Sequence, residues 1–208
     1  MKAILLAATL LFAAAPASLA DARKTVVVLG DSLAAGLGVE DGQAYPALLQ
    51  EKINSAGLPF TIVDAGVSGD TTADGLGRIN WLLRRKIDVL IVELGGNDGL
   101  RGIPVPTMQS NLQAIVERAR ARYPDIKIVI AGMRMPANMG TDYVDAFAKA
   151  FPDVAAKNHA ALVPFLLEGV GGDPRLNQAD GIHPTAEGHK IVAENVWKTL
   201  KPILGPGG

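Results

Sequence analysis

The chain contains no cysteine. That excludes disulfides, a thiolate nucleophile and a cysteine-bound metal, so covalent chemistry would fall to Ser, Thr, Lys or a carboxylate. It also lacks a charge imbalance, with 20 Lys and Arg against 21 Asp and Glu and a net charge of −1. A near-neutral chain with scattered basic residues is not suited to nucleic acid or an acidic membrane surface as its main partner. The tight cluster Arg84-Arg85-Lys86 reads as a solvated helix end beside the negative pole of the helix. Several motifs are missing too. Gly30, Gly36 and Gly38 fit neither the G-x-G-x-x-G fingerprint nor the P-loop, and no Gly-x-Ser-x-Gly elbow occurs. His183, Glu187 and His189 do not form His-Glu-x-x-His, so no metal site is expected. No repeat, low-complexity tract or linker divides the chain.

Residues 1–20 have the pattern of a cleaved leader. Lys2 precedes an apolar stretch from Ala3 to Ala15, then come Pro16 and the small-residue site Ser18-Leu19-Ala20. The stretch is shorter than the ~20 residues a membrane-spanning helix needs. No Cys follows the site, so a lipid-modified N-terminus is excluded. The expectation is a signal peptide over 1–20, one domain over 21–208, a periplasmic or secreted location, and no integral membrane segment after cleavage.

Beyond the leader, short apolar runs alternate with stretches of helical spacing. The runs at 25–29, 60–65, 87–94, 126–131 and 161–166 are rich in Val and Ile, too short for helices and continuous. Such runs predict strands covered on both faces. The helical stretches are marked by Tyr45/Leu48/Leu49/Ile53, Leu76/Ile79/Leu83, Met108/Leu112/Ile115/Ala119, Tyr143/Phe147/Phe151 and Ile191/Val192/Asn195/Leu200. Asp70 or Thr71 is the N-cap of the second, Pro152 is expected to break the fourth, and the fifth is expected to open at Pro184 and stop near Pro202. Five strand–helix alternations predict an α/β fold: a five-stranded parallel sheet in a flavodoxin-like three-layer α/β/α sandwich. The Gly-Pro-Gly-Gly tail is expected to be disordered.

In such sheets ligands bind beyond the carboxyl ends of the strands, and four polar clusters fall there. Gly30-Asp31-Ser32 follows the first strand, Gly66-Val67-Ser68-Gly69-Asp70 the second, Gly95-Gly96-Asn97-Asp98 the third, and Asp180-Gly181-Ile182-His183-Pro184 the fifth. A serine hydroxyl is a poor nucleophile until a base takes its proton, and a histidine oriented by a carboxylate is a common solution. Ser32 is therefore the candidate nucleophile, His183 the base and Asp180 its orienting carboxylate. The backbone N–H groups of Ser32 and Gly69 and the Asn97 amide are the candidate donors to a tetrahedral oxyanion. Pro184 suits a first helical position. That would set His183 at a helix N-cap, where the positive pole disfavours the imidazolium and Asp180 offsets it.

These four blocks resemble the SGNH (GDSL-type) hydrolases, whose name lists Ser, Gly, Asn and His. The segments 92–102, 134–138 and 68–72 look like the periplasmic thioesterase/protease/lysophospholipase branch of that family. The resemblance spans about Thr25 to Leu204. It implies nucleophile Ser32, oxyanion donors Ser32, Gly69 and Asn97, the Asp180–His183 pair, no cofactor, and activity on thioesters, aryl esters and lysophospholipids. Leu100 and Ile103, in a glycine-flanked loop expected over Gly99–Pro106, and Pro136 are candidate acyl-binding residues. A monomer acting on a small-molecule ester or thioester is expected.

Each position also admits a blander reading. Alone, Ser32 would equally suit a turn or N-cap; the other three blocks decide against that. Asp31 and Asp98 read as structural, His159 as surface or capping, and His189 as lying on a face away from Ser32. A carbohydrate O-acetylesterase with a more polar pocket is the rival enzyme, and a non-catalytic ligand-binding domain the rival outside enzymes.

Overall fold

The structure is a computed structural model that describes residues 23–205; the leader assigned to 1–20, and the tail beyond Gly205, lie outside the described residues. The strands are β1 (Lys24–Gly30), β2 (Phe60–Gly66), β3 (Val89–Glu93), β4 (Lys127–Ala131) and β5 (Ala161–Val163). All pair in parallel in the order β2-β1-β3-β4-β5, the flavodoxin-like order. The helices are α1 (Tyr45–Ser55), α2 (Thr72–Leu82), α3 (Gly96–Leu100), α4 (Val105–Arg122), α5 (Thr141–Lys157) and α6 (Ala186–Leu204), with a 3-10 turn at Ala137–Met139.

The apolar runs become strands because central parallel strands are covered on both faces. Val26, Val28, Leu90, Ile91, Val129 and Ile130 are completely buried. The edge strand β2 departs from that expectation. It has a neighbour on one side only, and Val63 is 42% exposed. β5 is shorter than its apolar run because Pro164 follows Val163 and cannot donate to the ladder.

Three helical expectations are corrected. Pro152 does not break α5, which continues through it to Lys157. Phe147, Phe151, Val154 and Ala155 are buried on its inner face, with the Phe147 and Phe151 rings edge-on at 5.3 Å, while Pro152 is exposed; this packing outweighs one lost backbone bond. The loop expected over Gly99–Pro106 is largely taken up by the end of α3 and the start of α4. Finally, α6 opens at Ala186, not Pro184: Thr185 is the N-cap, its hydroxyl accepting the Gly188 N–H at 3.3 Å.

One buried contact ties α1 to α6. His189 is 1% exposed; its Nδ1 accepts the Tyr45 N–H at 3.3 Å and its ring stacks on Tyr45. The accepting Nδ1 leaves the proton on Nε2. Burial, helped by the nearby His183, lowers the His189 pKa from 6.5 to about 4. A base depressed in this way stays neutral in the folded protein while the unfolded chain takes up a proton. Its stabilisation is complete above about pH 6.5 and is lost as pH falls toward 4. In His189→Gln that loss should disappear, so its urea midpoint should gain on the native protein's between pH 7 and pH 4; parallel pH curves would refute the assignment.

Candidate active site

The carboxyl ends of β1, β2 and β3 are crowded. Gly30 ends β1 and pairs with Gly66 and with Glu93. A Cβ on Gly66 would lie 2.4 Å from the Ala35 nitrogen, and one on Gly30 would lie 2.5 Å from both the Ala34 Cβ and Glu93 Oε2. Glycine at both positions lets the turn carrying Ser32 fold back over the sheet edge. Within that turn Asp31 Oδ1 accepts the Leu33 N–H at 3.0 Å, and the Asp31 carbonyl accepts the Ala35 N–H at 3.0 Å.

Ser32 is 8% exposed, and its Oγ lies 2.9 Å from His183 Nε2. On its far side His183 Nδ1 lies 2.6 Å from Asp180 Oδ2. The other Asp180 oxygen, Oδ1, accepts the backbone N–H groups of Ile182 and His183 at 2.9 and 3.0 Å. These bonds, the one from the His183 ring foremost, hold the Asp180 pKa down at about 2, so it is a carboxylate at any physiological pH. With Asp180 ionised, the proton between the pair sits on Nδ1, leaving Nε2 free to accept from Ser32.

The loop bearing His183 is anchored by backbone pairing, which corrects the expectation of a helix N-cap there. Asn177 and Pro184 form an antiparallel bridge, the Gln178 N–H donates to the His183 carbonyl at 2.7 Å, and the Thr185 N–H donates to Leu176 at 2.8 Å. The positive pole of α6 thus begins beyond His183. Gln178 Nε2 also donates to the carbonyls of Leu37 and Pro184 at 2.7 and 3.0 Å, linking the histidine loop to the segment after Ser32.

Asn97 lies in the first turn of α3, behind Gly95, whose φ of 115° is open to glycine. Its Nδ2 donates to the Asp70 carbonyl at 2.9 Å and to Asp31 Oδ2 at 3.2 Å. Gly69 has φ 89°, and its carbonyl accepts from Arg101 at 2.8 Å. Arg78 joins the blocks from below, donating to Asp70 Oδ2 at 2.6 Å and to the Gly30 carbonyl at 2.9 Å. Asp98 is structural as expected: its oxygens accept the Thr72 N–H and hydroxyl at 2.8 and 2.6 Å. Asp31 likewise braces the turn, and burial above all raises its pKa to about 6.

A cavity of about 420 Å³ opens beside Ser32 and His183, lined on its apolar side by Leu100, Met133, Met135, Pro136, Phe165 and Leu167. Leu100 and Pro136 are therefore where expected. Ile103 is not: it lies outside this lining, and its carbonyl accepts from the Tyr143 hydroxyl at 3.1 Å. Phe165 was missed because it belongs to the run 161–166 expected to form β5, and Leu167 because it follows directly on that run. Arg78 and Gln178 carry no sequence signal that separates them from other surface residues. A larger groove of about 630 Å³ between α1 and α6 contains none of these residues. His159 is exposed at the end of α5 with φ 45°, matching its surface reading.

The chain is similar to known proteins over most of its length. Residues 28–191 match the GDSL-like Lipase/Acylhydrolase family. The chain is 45% identical to the esterase TesA of Pseudomonas aeruginosa over 184 residues, 88% of this chain and 90% of that one. It is 37% identical to thioesterase 1/protease 1/lysophospholipase L1 of Escherichia coli over 186 residues, 89% of this chain and 87% of that one. A crystal structure of TesA superposes with a TM-score of 0.84 at 44% identity, covering 87% of this chain and all of the other. The chain belongs to the GDSL-like lipase/acylhydrolase family of ester hydrolases.

Proposed function

We propose that this chain is an exported serine esterase and thioesterase that works through an acyl-serine intermediate. The observation that carries the reading is the 2.9 Å contact between Ser32 Oγ and His183 Nε2, backed by the 2.6 Å His183–Asp180 contact. Nε2 takes the hydroxyl proton as Oγ attacks the acyl carbon, and the proton then passes to the departing alkoxide or thiolate. Asp180 holds the tautomer and stabilises the imidazolium. Water repeats the cycle on the acyl-enzyme with the same base, releasing the acid and restoring Ser32.

The tetrahedral oxyanion takes the N–H groups of Ser32 and Gly69 and the Asn97 amide. Neither backbone N–H is engaged elsewhere among the described residues. Of the two Asn97 bonds, the longer one to Asp31 is the one an oxyanion takes over. The apolar lining favours an acyl chain over a sugar, and thioesters and lysophospholipids follow from the relatives' activities. Export rests on the residue pattern over 1–20; among the described residues no helix is long and apolar enough to cross a membrane.

Three measurements test this reading. Ser32→Ala should abolish fluorophosphonate labelling and cut ester turnover by at least about 10³-fold, and Asp180→Asn should lower kcat by about 10²-fold or more with native circular dichroism. Labelling that persists in Ser32→Ala would place the nucleophile elsewhere. Burial of each added methylene contributes about 0.8 kcal/mol, up to roughly fourfold per carbon. On that basis kcat/KM for p-nitrophenyl octanoate should exceed that for the acetate by tenfold or more; a preference for acetate would favour the polar-pocket alternative. In a Gram-negative host, the mass of the protein in the periplasmic fraction should correspond to a chain beginning at Asp21; an intact Met1 in the cytoplasm would overturn export.

A further inference from the structure

Glu93 ends β3 with a carboxyl group that the mechanism above does not use. It is completely buried, directly beneath the Ser32 turn, where only the absence of a Cβ on Gly30 makes room for Oε2. Oε2 accepts the Asp31 N–H at 3.3 Å, and the Ala34 N–H also acts on this carboxyl group. The turn starts like a helix, with the Ala35 N–H bonded back to the Asp31 carbonyl. A chain entering such a turn leaves its first N–H groups without backbone partners. Here Leu33 is served by the Asp31 side chain, and Asp31 by Glu93. The Ser32 N–H has no partner among the described residues, and it is the one needed by an oxyanion.

We propose that Glu93 is a positioning residue for the acyl-transfer site: its carboxyl group holds the Asp31 N–H, and so fixes the direction of the Ser32 N–H and the Asp31–Asn97 contact. The inference rests on Ser32 being the nucleophile. The Ser32 donor of the oxyanion hole then depends on one side chain that touches no substrate. Ser32 N–H is oriented through the backbone it shares with Asp31, and in the resting site Asp31 Oδ2 also holds the Asn97 hydrogen, at 3.2 Å, that an oxyanion takes over.

The surroundings favour the neutral acid. Burial first, then the charge on Asp31, raises the Glu93 pKa well above its usual 4.5, with Asp64 a smaller contributor of the same sign. Tyr45 lies against it, its phenol also buried and raised, chiefly by burial and then by Glu93. Glu93 Oε1 and the Tyr45 hydroxyl each lack a partner among the described residues. A neutral carboxyl group leaves no unpaired charge in this cluster. Its acceptor oxygen, not its charge, performs the positioning, and glutamine should therefore replace it.

The test compares Glu93→Gln, which keeps a carbonyl acceptor of the same length, with Glu93→Met, which keeps the bulk and loses the acceptor. Kinetics on p-nitrophenyl butyrate should show Glu93→Gln within about threefold of native kcat, and Glu93→Met about 10- to 100-fold lower in kcat with KM unchanged. Glu93→Asn, whose carbonyl is withdrawn by one methylene, should also lose kcat; it decides the matter if the Met variant does not fold. A cooperatively folded Met or Asn variant with native kcat would overturn the proposal, as would a Gln variant as impaired as Met. Fluorophosphonate labelling of Ser32 in the native protein separates the two failures. If Ser32 is labelled and the acceptor-free variants turn over normally, only the role of Glu93 falls. If Ser32 is not labelled, the reading of the nucleophile falls with it.

Discussion

Gly30 and Gly66 face one another at the ends of β1 and β2, and neither position has room for one more carbon atom. Ser32 must leave the sheet within two residues of Gly30 and still point back over the strand ends. The chain achieves this by folding a helix-like turn tightly onto the backbone of the neighbouring strands. Interiors packed this densely do not deform continuously, so the direction of the Ser32 hydroxyl is set by the sheet and not by a mobile loop. Asn97, Gly69 and the histidine loop are placed relative to that turn by hydrogen bonds: Asn97 to Asp31 and Asp70, Arg78 from Asp70 to Gly30, and Gln178 from Leu37 to Pro184.

Carboxyl groups around the turn are pushed in opposite directions by their surroundings. Asp180 is half-exposed and receives three N–H groups, which keep it ionised down to about pH 2. Asp31 is buried and rises to about 6, and Glu93, completely buried, is raised well above its ordinary 4.5. Divergent pKa values in neighbouring acids allow one site to hold a carboxylate and a neutral acid together. The raised acids also act on stability with opposite sign to the buried histidine. Asp31 has a folded pKa above its ordinary 3.8, so its contribution is greatest in acid and falls as pH rises toward 6. His189 contributes most above 6.5 and loses that contribution as pH falls toward 4. The windows overlap, so the two contributions partly cancel.

Much of the fold was legible from the apolar runs, because a strand buried on both faces leaves a continuous hydrophobic signature and a helix a periodic one. The departures have local causes. Pro152 lies on the exposed face of α5, and two buried phenylalanines carry the helix across it. Thr185 provides a side-chain oxygen at the right place to cap α6, so Pro184 is left to bridge Asn177. The cavity beside Ser32 was less legible. Ile103 is apolar and close in sequence to Asn97, yet the turn between α3 and α4 carries it to the side facing Tyr143. Phe165 reads as strand, but β5 ends at Val163 before Pro164, and Phe165 and Leu167 line the cavity.

The order of residues alone determined which chemistry was available: without cysteine, with a Gly-Asp-Ser turn after an apolar strand and a histidine three residues after an aspartate, acyl transfer through serine was the reading left standing. Such short-range patterns are written in the sequence because turn geometry and side-chain chemistry depend on immediate neighbours. Tertiary structure alone decided the distances. Ser32 and His183 are 151 residues apart and meet only through the strand order, and Glu93 resembles any other end-of-strand glutamate until the fold buries it under the Ser32 turn. Proximity of that kind depends on packing between distant segments, which no local run of residues encodes.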